Sequence, residues 1–142
     1  MVVPAEEVRV ATEYAISTQV HVDHVRVALS GEFDLAALGD LQTAFARVAA
    51  DHPRQAVLVD LANATFIDST IVGALVAAHQ HASTRGVTVT VANARGLVER
   101  VLVVTGVYPL LRNPDLRKTG FAAKEPASPL AAGDEPAGSD GP

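Results

Sequence analysis

The sequence contains no cysteine and no tryptophan, and aromatic residues make up only 4% of its 142 positions. Without cysteine there is no disulfide framework, no thiol nucleophile and no thiolate metal site. With so few rings, a groove of stacked aromatics of the kind that grips single-stranded nucleic acid has little to be built from. Basic residues are also scarce: 11 Lys and Arg stand against 16 Asp and Glu, a formal net charge of −5. That is the opposite of the field that draws a protein to nucleic acid, so no direct nucleic-acid partner is expected. No apolar run approaches the ~20 residues of a membrane-spanning helix. The first residues, MVVPAEEVRV, carry acids where an export signal carries bases. The expectation is a soluble, cytoplasmic chain with no membrane attachment.

The motifs of common cofactor and catalytic sites are missing too. The glycines are scattered, with no G-x-G-x-x-G after a strand and no G-x-x-x-x-G-K-[ST], so no nucleotide cradle is supported. Five histidines are present, but His21 and His24 fall on a turn, His52 beside a helix end, and His79 and His81 two apart on a helix. Helix positions two apart do not face each other, so no metal site is expected and the histidines read as exposed polar residues. No histidine is placed to activate Ser69 beside Asp68 as a hydrolase nucleophile. The chain reads as a non-enzyme with no cofactor.

What is present is a packed domain of Val, Leu, Ile and Ala; apolar residues are 49% of the chain. The length suits one domain, predicted over 1–121 with its core at about 10–118. Residues 122–142, AAKEPASPLAAGDEPAGSDGP, hold four prolines and three glycines without apolar periodicity, the composition of a disordered acidic tail.

Alternation puts Tyr14, Ile16, Thr18 and Val20 on one strand face. A turn follows at 21–24, then a strand carrying Val25, Val27 and Leu29 and ending at Gly31. Leu38, Leu41, Phe45 and Val48 mark a helix over 36–50. The run AVLVDL, 56–61, predicts a strand covered on both faces, with Asp60 its exception. Ile71, Leu75 and Ala78 mark a helix over 70–84, VTVTVA a strand over 87–92, and Leu97, Val101 and Val104 a helix over 95–105. YPLL and LRKT suggest a last strand and a helical turn. Strand–helix–strand repeats after an opening hairpin predict an α/β fold, a small mixed β-sheet with helices packed mainly on one face.

The stretch NATFIDSTIVGAL, 63–75, poses the functional question, because it sets two hydroxyls directly after a carboxylate at a helix start. Asp68 or Ser69 there serves as an N-cap. A second acid, Asp34 in LSGEFDLAA, stands at the same stage of the preceding strand–helix step. If the two strands are parallel neighbours, both loops emerge at the carboxyl edge of the sheet, where α/β proteins commonly build sites. A phosphate on Ser69 would be favoured by the helix dipole and repelled by Asp34 and Asp68. The residues alone leave both readings open, a capped loop and a phosphoswitch.

The segments VRVALSGEFDLAALGDLQTAF, AVLVDLANATFIDSTIVGALVAAHQHASTRGVTVTVAN and LVERVLVVTGV resemble a STAS domain of the soluble bacterial anti-sigma factor antagonist (anti-anti-sigma factor) type. The resemblance implies a transcription regulator that binds a serine-kinase anti-sigma factor and so releases sigma factor. It implies that the kinase phosphorylates Ser69, with Thr70 a minor alternative, that phosphorylation breaks the complex, and that a phosphatase restores it. ATP and magnesium would belong to the kinase. Asp34 matches the acid of the family's "GELDL" loop, and Asp68 the acid before the phosphoserine. The implied partner-binding set is Asp34, Asp68, Ser69, Thr70, Ile71 and Val72. The alternative is a non-phosphorylated STAS module binding another protein or a small ligand, with Ser69 a cap. One departure stands out: Ile71 replaces the glycine that family members often carry, and either turns inward or reshapes the docking surface.

Overall fold

The computed structural model describes residues 6–10 and 13–112; the predicted tail and LRKT lie outside the described residues. Five strands form one sheet in the order β1-β2-β3-β4-β5: β1 (Glu6–Val10), β2 (Tyr14–Val20), β3 (His24–Phe33), β4 (Ala56–Ile67) and β5 (Val89–Ala92). β1, β2 and β3 pair antiparallel in a meander, whereas β3–β4 and β4–β5 are parallel. Among the described residues there are four α-helices, α1 (Leu38–Asp51), α2 (Ser69–Ser83), α3 (Gly96–Val104) and α4 (Tyr108–Leu111). The expected mixed sheet with helices mainly on one face is present.

Strand alternation builds the core. Val25, Val57 and Val89 stand in register across three strands, as do Val27, Val59 and Val91 one step along, and all six are buried. Against them α1 places Leu41, Ala44 and Val48, and α2 places Ile71, Ala74, Leu75 and Ala82. Leu38 and Phe45 pack at the margin of this cluster. Burying one such side chain contributes about 1.5–3 kcal/mol, so the shared face dominates the stability of the domain.

Two features depart from the expectation at the ends. β1 did not stand out, because EEVRV offers only a two-valine alternation beside adjacent acids. YPLL forms the short α4 rather than a strand; Pro109 sits in its first turn, where a missing N–H costs nothing.

The functional edge depends on two irregularities between β3 and β4. The register slips by one residue between Ala28 and Ser30, and by one again between Gly31 and Glu32. β4 carries both extra residues, so its buried positions pass from a spacing of two (Val57, Val59, Leu61) to a spacing of three (Ala64, Ile67). The strand that ended at 61 in the sequence reading therefore runs to 67. At its close Phe33 stands opposite Ile67, both buried. Gly31 makes this course possible at a left-handed φ of 92°, because any Cβ there would overlap the Glu13 carbonyl. That carbonyl accepts the N–H of Glu32 at 2.8 Å.

Candidate functional site

Because Phe33 and Ile67 are paired, the residues that follow them, Asp34 and Asp68, leave neighbouring parallel strands together. The Asp68 N–H donates to the Phe33 carbonyl at 3.2 Å, which ties the start of α2 to the end of β3. Both aspartates are extended, with φ −122° at Asp34 and −109° at Asp68, and each turns its carboxylate onto the helical turn it opens. Asp34 Oδ1 accepts the Ala36 N–H at 2.9 Å, opening a 3₁₀ turn (Leu35–Ala37) that leads into α1. Asp68 Oδ1 accepts the Ile71 N–H at 3.0 Å, opening α2. The two strand–helix steps are repeats of one device.

This identifies the cap of α2. The cap is Asp68, and Ser69 is the first residue of the helix proper. The Ser69 side chain is exposed and makes no hydrogen bond to another described residue. Of the two expected capping candidates, Asp68 and Ser69, the aspartate takes the position. Thr70, one position further in, is half-buried.

Ile71 and Val72, expected on the partner face, instead point into the core, with exposures of 0% and 5%. Helical geometry accounts for Ile71, which lies two positions past the exposed Ser69 and so on the opposite side of the helix, and Val72 is buried beside it. Ile71 therefore turns inward and adds to the apolar cluster instead of reshaping the surface. Two residues absent from the sequence reading take up the vacated role of exposed apolar surface at this edge. Leu35, directly after Asp34, is 67% exposed, and Phe66, directly before Ile67, is 38% exposed. Their signal in the sequence was faint: Leu35 lies between exposed residues in the turn after β3, and Phe66 falls where the register slips have broken the alternation of β4.

The other acid singled out by the sequence, Asp60, is engaged elsewhere. It is 6% exposed on the sheet face opposite the valine layers, with four donors around it. Arg26 Nε–H donates to Oδ2 at 2.9 Å, with Nη2–H on the same oxygen, and Asn93 Nδ2–H and the Ala62 N–H each reach Oδ1 at 3.0 Å. Burial pushes the Asp60 carboxyl up, but the bonds from Asn93, Ala62 and Arg26 outweigh it and hold the group below its ordinary value. Asp60 is thus a paired structural anion.

Nor are all histidines exposed. His79 is 7% exposed, and its Nδ1–H donates to the Val89 carbonyl at 3.0 Å, fastening α2 to β5, while His81 faces solvent. Among the described residues no group of three or more His, Cys, Asp or Glu stands close enough to hold a metal ion. No described helix is long and apolar enough to cross a membrane.

Comparison with known proteins agrees with this architecture. The STAS domain family model matches residues 15–121. A STAS-domain containing protein of Pseudomonas aeruginosa (strain UCBPP-PA14) is 34% identical over 86 residues, covering 61% of this chain and 83% of the relative. Among solved structures, the anti-sigma factor antagonist SpoIIAA in its unphosphorylated form superposes with a TM-score of 0.56 at 17% identity, covering 74% of this chain and 84% of that one. The phosphorylated form of SpoIIAA, a Bacillus cell fate determinant, gives 0.51 at 16% identity, covering 74% and 86%. At these identities the structural likeness speaks for the fold. With the family model spanning the helix-capping aspartates, both parallel strand–helix steps and most of the described sheet, the chain belongs to the STAS domain family.

Proposed function

We propose that this chain is an anti-sigma factor antagonist: it binds a serine-kinase anti-sigma factor, thereby releasing sigma factor, and phosphorylation at Ser69 switches it off. The observation that carries this reading is the division of labour at the start of α2. Asp68 caps the helix, which leaves the Ser69 hydroxyl exposed and without another task. In the transfer, Ser69 Oγ attacks the γ-phosphorus of the kinase-bound ATP, ADP leaves, and the hydroxyl proton passes to a base of the kinase. The phosphoserine then adds about two negative charges beside Asp68 and the neighbouring Asp34. The helix N-terminus stabilises the phosphate on this chain, while the same charge, set among two carboxylates, opposes an acidic or apolar partner surface. A phosphatase resets the switch by hydrolysis.

The docking surface in this reading consists of Asp34, Leu35, Asp68, Ser69 and Thr70, with Phe66 at its margin. Ile71 and Val72 support it from beneath. The test is incubation with the cognate kinase and ATP, followed by peptide mass spectrometry. Phosphate on Ser69 supports the switch; its absence with a demonstrably active kinase favours a STAS module that binds its partner without phosphorylation.

A further inference from the structure

At the opposite end of the domain, an open cavity of about 640 Å³ runs between α1 and α2. Its walls are apolar and low: Phe45, Ala46 and Ala49 on α1 face Ala74, Ala77 and Ala78 on α2. From Gln42 to His52 the α1 wall extends about 15 Å. Polar groups gather where the two helices end. His52, Gln55, His81 and Arg85 line that end, and the whole lining contains no Asp or Glu. In a chain of formal net charge −5 this is a local reversal of character. The Arg85 guanidinium bonds only the His81 carbonyl, at 3.4 Å, among the described residues, and Gln55 Oε1 is buried without a partner there.

We propose that this groove binds a small anionic amphiphile, an alkyl chain ending in a carboxylate. The chain lies along the alanine walls, and the carboxylate takes N–H donors from Arg85 and the imidazoles of His52 and His81. Gln55 completes the shell through its amide, whose orientation adapts to the head group. The volume lies within the range of small-molecule sites, and the combination of apolar walls with a few convergent polar groups is their usual make-up. The negative ends of both helix dipoles meet here and oppose an anion. Each is weaker than a charge-assisted bond from a guanidinium, and His52 N–H and Thr84 Oγ1–H already occupy the Val48 and His81 carbonyls.

Decanoate, titrated calorimetrically into the full chain below its micelle concentration, should bind saturably at one molecule per chain. Arg85→Gln should weaken it by about tenfold, the loss of one charge-assisted contact. Ala77→Phe and Ala46→Leu, both at exposed groove positions, should abolish binding while keeping a cooperative thermal transition. Uncharged 1-decanol should bind more weakly and ignore Arg85→Gln. Phosphatidylglycerol vesicles should not retain the chain, which separates a soluble ligand from a bilayer. The proposal fails if the folded chain shows no saturable decanoate binding, if both groove-filling variants that fold bind as before, if decanol binds as tightly as decanoate, or if only vesicles retain the protein.

Discussion

The amide of Asp68 donates to the carbonyl of Phe33 across 3.2 Å, and through this one bond two strand–helix junctions become a single surface. Parallel neighbours lie about 4.8 Å apart, so the backbones of Asp34 and Asp68 begin one strand spacing from each other. Each carboxylate closes the helical turn it precedes, and the exposed Ser69 follows directly on the second.

Asp68→Ala removes the cap of α2 and should lower stability by about 0.5–2 kcal/mol. Ser69→Ala, at a position with no cap bond, should change it by no more than about 0.5 kcal/mol. Urea denaturation of both variants distinguishes them. A loss at Ser69 matching that at Asp68 would return the capping role to the serine.

Asp34→Ala should keep the thermal transition of the parent nearly unaltered, because its carboxylate is exposed and, among the described residues, bonds only the Ala36 amide of a three-residue turn. Affinity for the cognate anti-sigma factor should fall about five- to tenfold, the loss of one polar contact at an interface. Unchanged affinity in a calorimetric titration would remove Asp34 from the docking surface.

Asp60→Asn strips the charge from a buried acceptor of Arg26 and should cost about 2–3 kcal/mol near neutral pH. The sign with pH follows from the lowered Asp60 carboxyl. Stabilisation is fully present above the unfolded carboxyl value of 3.8 and fades as pH falls through the lower folded value. The gap between parent and Asp60→Asn should therefore narrow only at pH below about 3.8, as followed by denaturation midpoints. A gap that closes between pH 7 and 5 would show that another group is responsible.

How much of this was legible in the sequence varies with how local the cause is. The period-two valines of β3 and the period-3.6 apolar residues of α1 and α2 announce their elements, since each pattern reports a face in contact with one neighbour. The second half of β4 was hidden: two one-residue register slips break the alternation of ANATFI, and a slip is a relation between two strands that neither strand spells out alone. The same slips set Asp34 beside Asp68, so their proximity was a consequence of topology that the sequence reading reached only as a condition on strand order. The junction also left two capping candidates, because Asp and Ser are equally good N-caps and only the backbone angles choose Asp68. His79 and Ile71 were misplaced or undecided for a related reason. On a helix whose apolar residues nearly encircle it, as α2 does, composition does not say which face meets the sheet.

Whether the hydroxyl at position 69 is a switch is decided by phosphorylation mapping coupled to a binding measurement. The protein is incubated with its cognate anti-sigma kinase and ATP, the modified residue is located by peptide mass spectrometry, and the affinity of the modified chain for the kinase is measured. The expected result is phosphate on Ser69, loss of binding in the phosphorylated chain, and a Ser69→Ala variant that binds but accepts no phosphate. Phosphate confined to Thr70, or a phosphorylated Ser69 that binds as tightly as the unmodified residue, would contradict it.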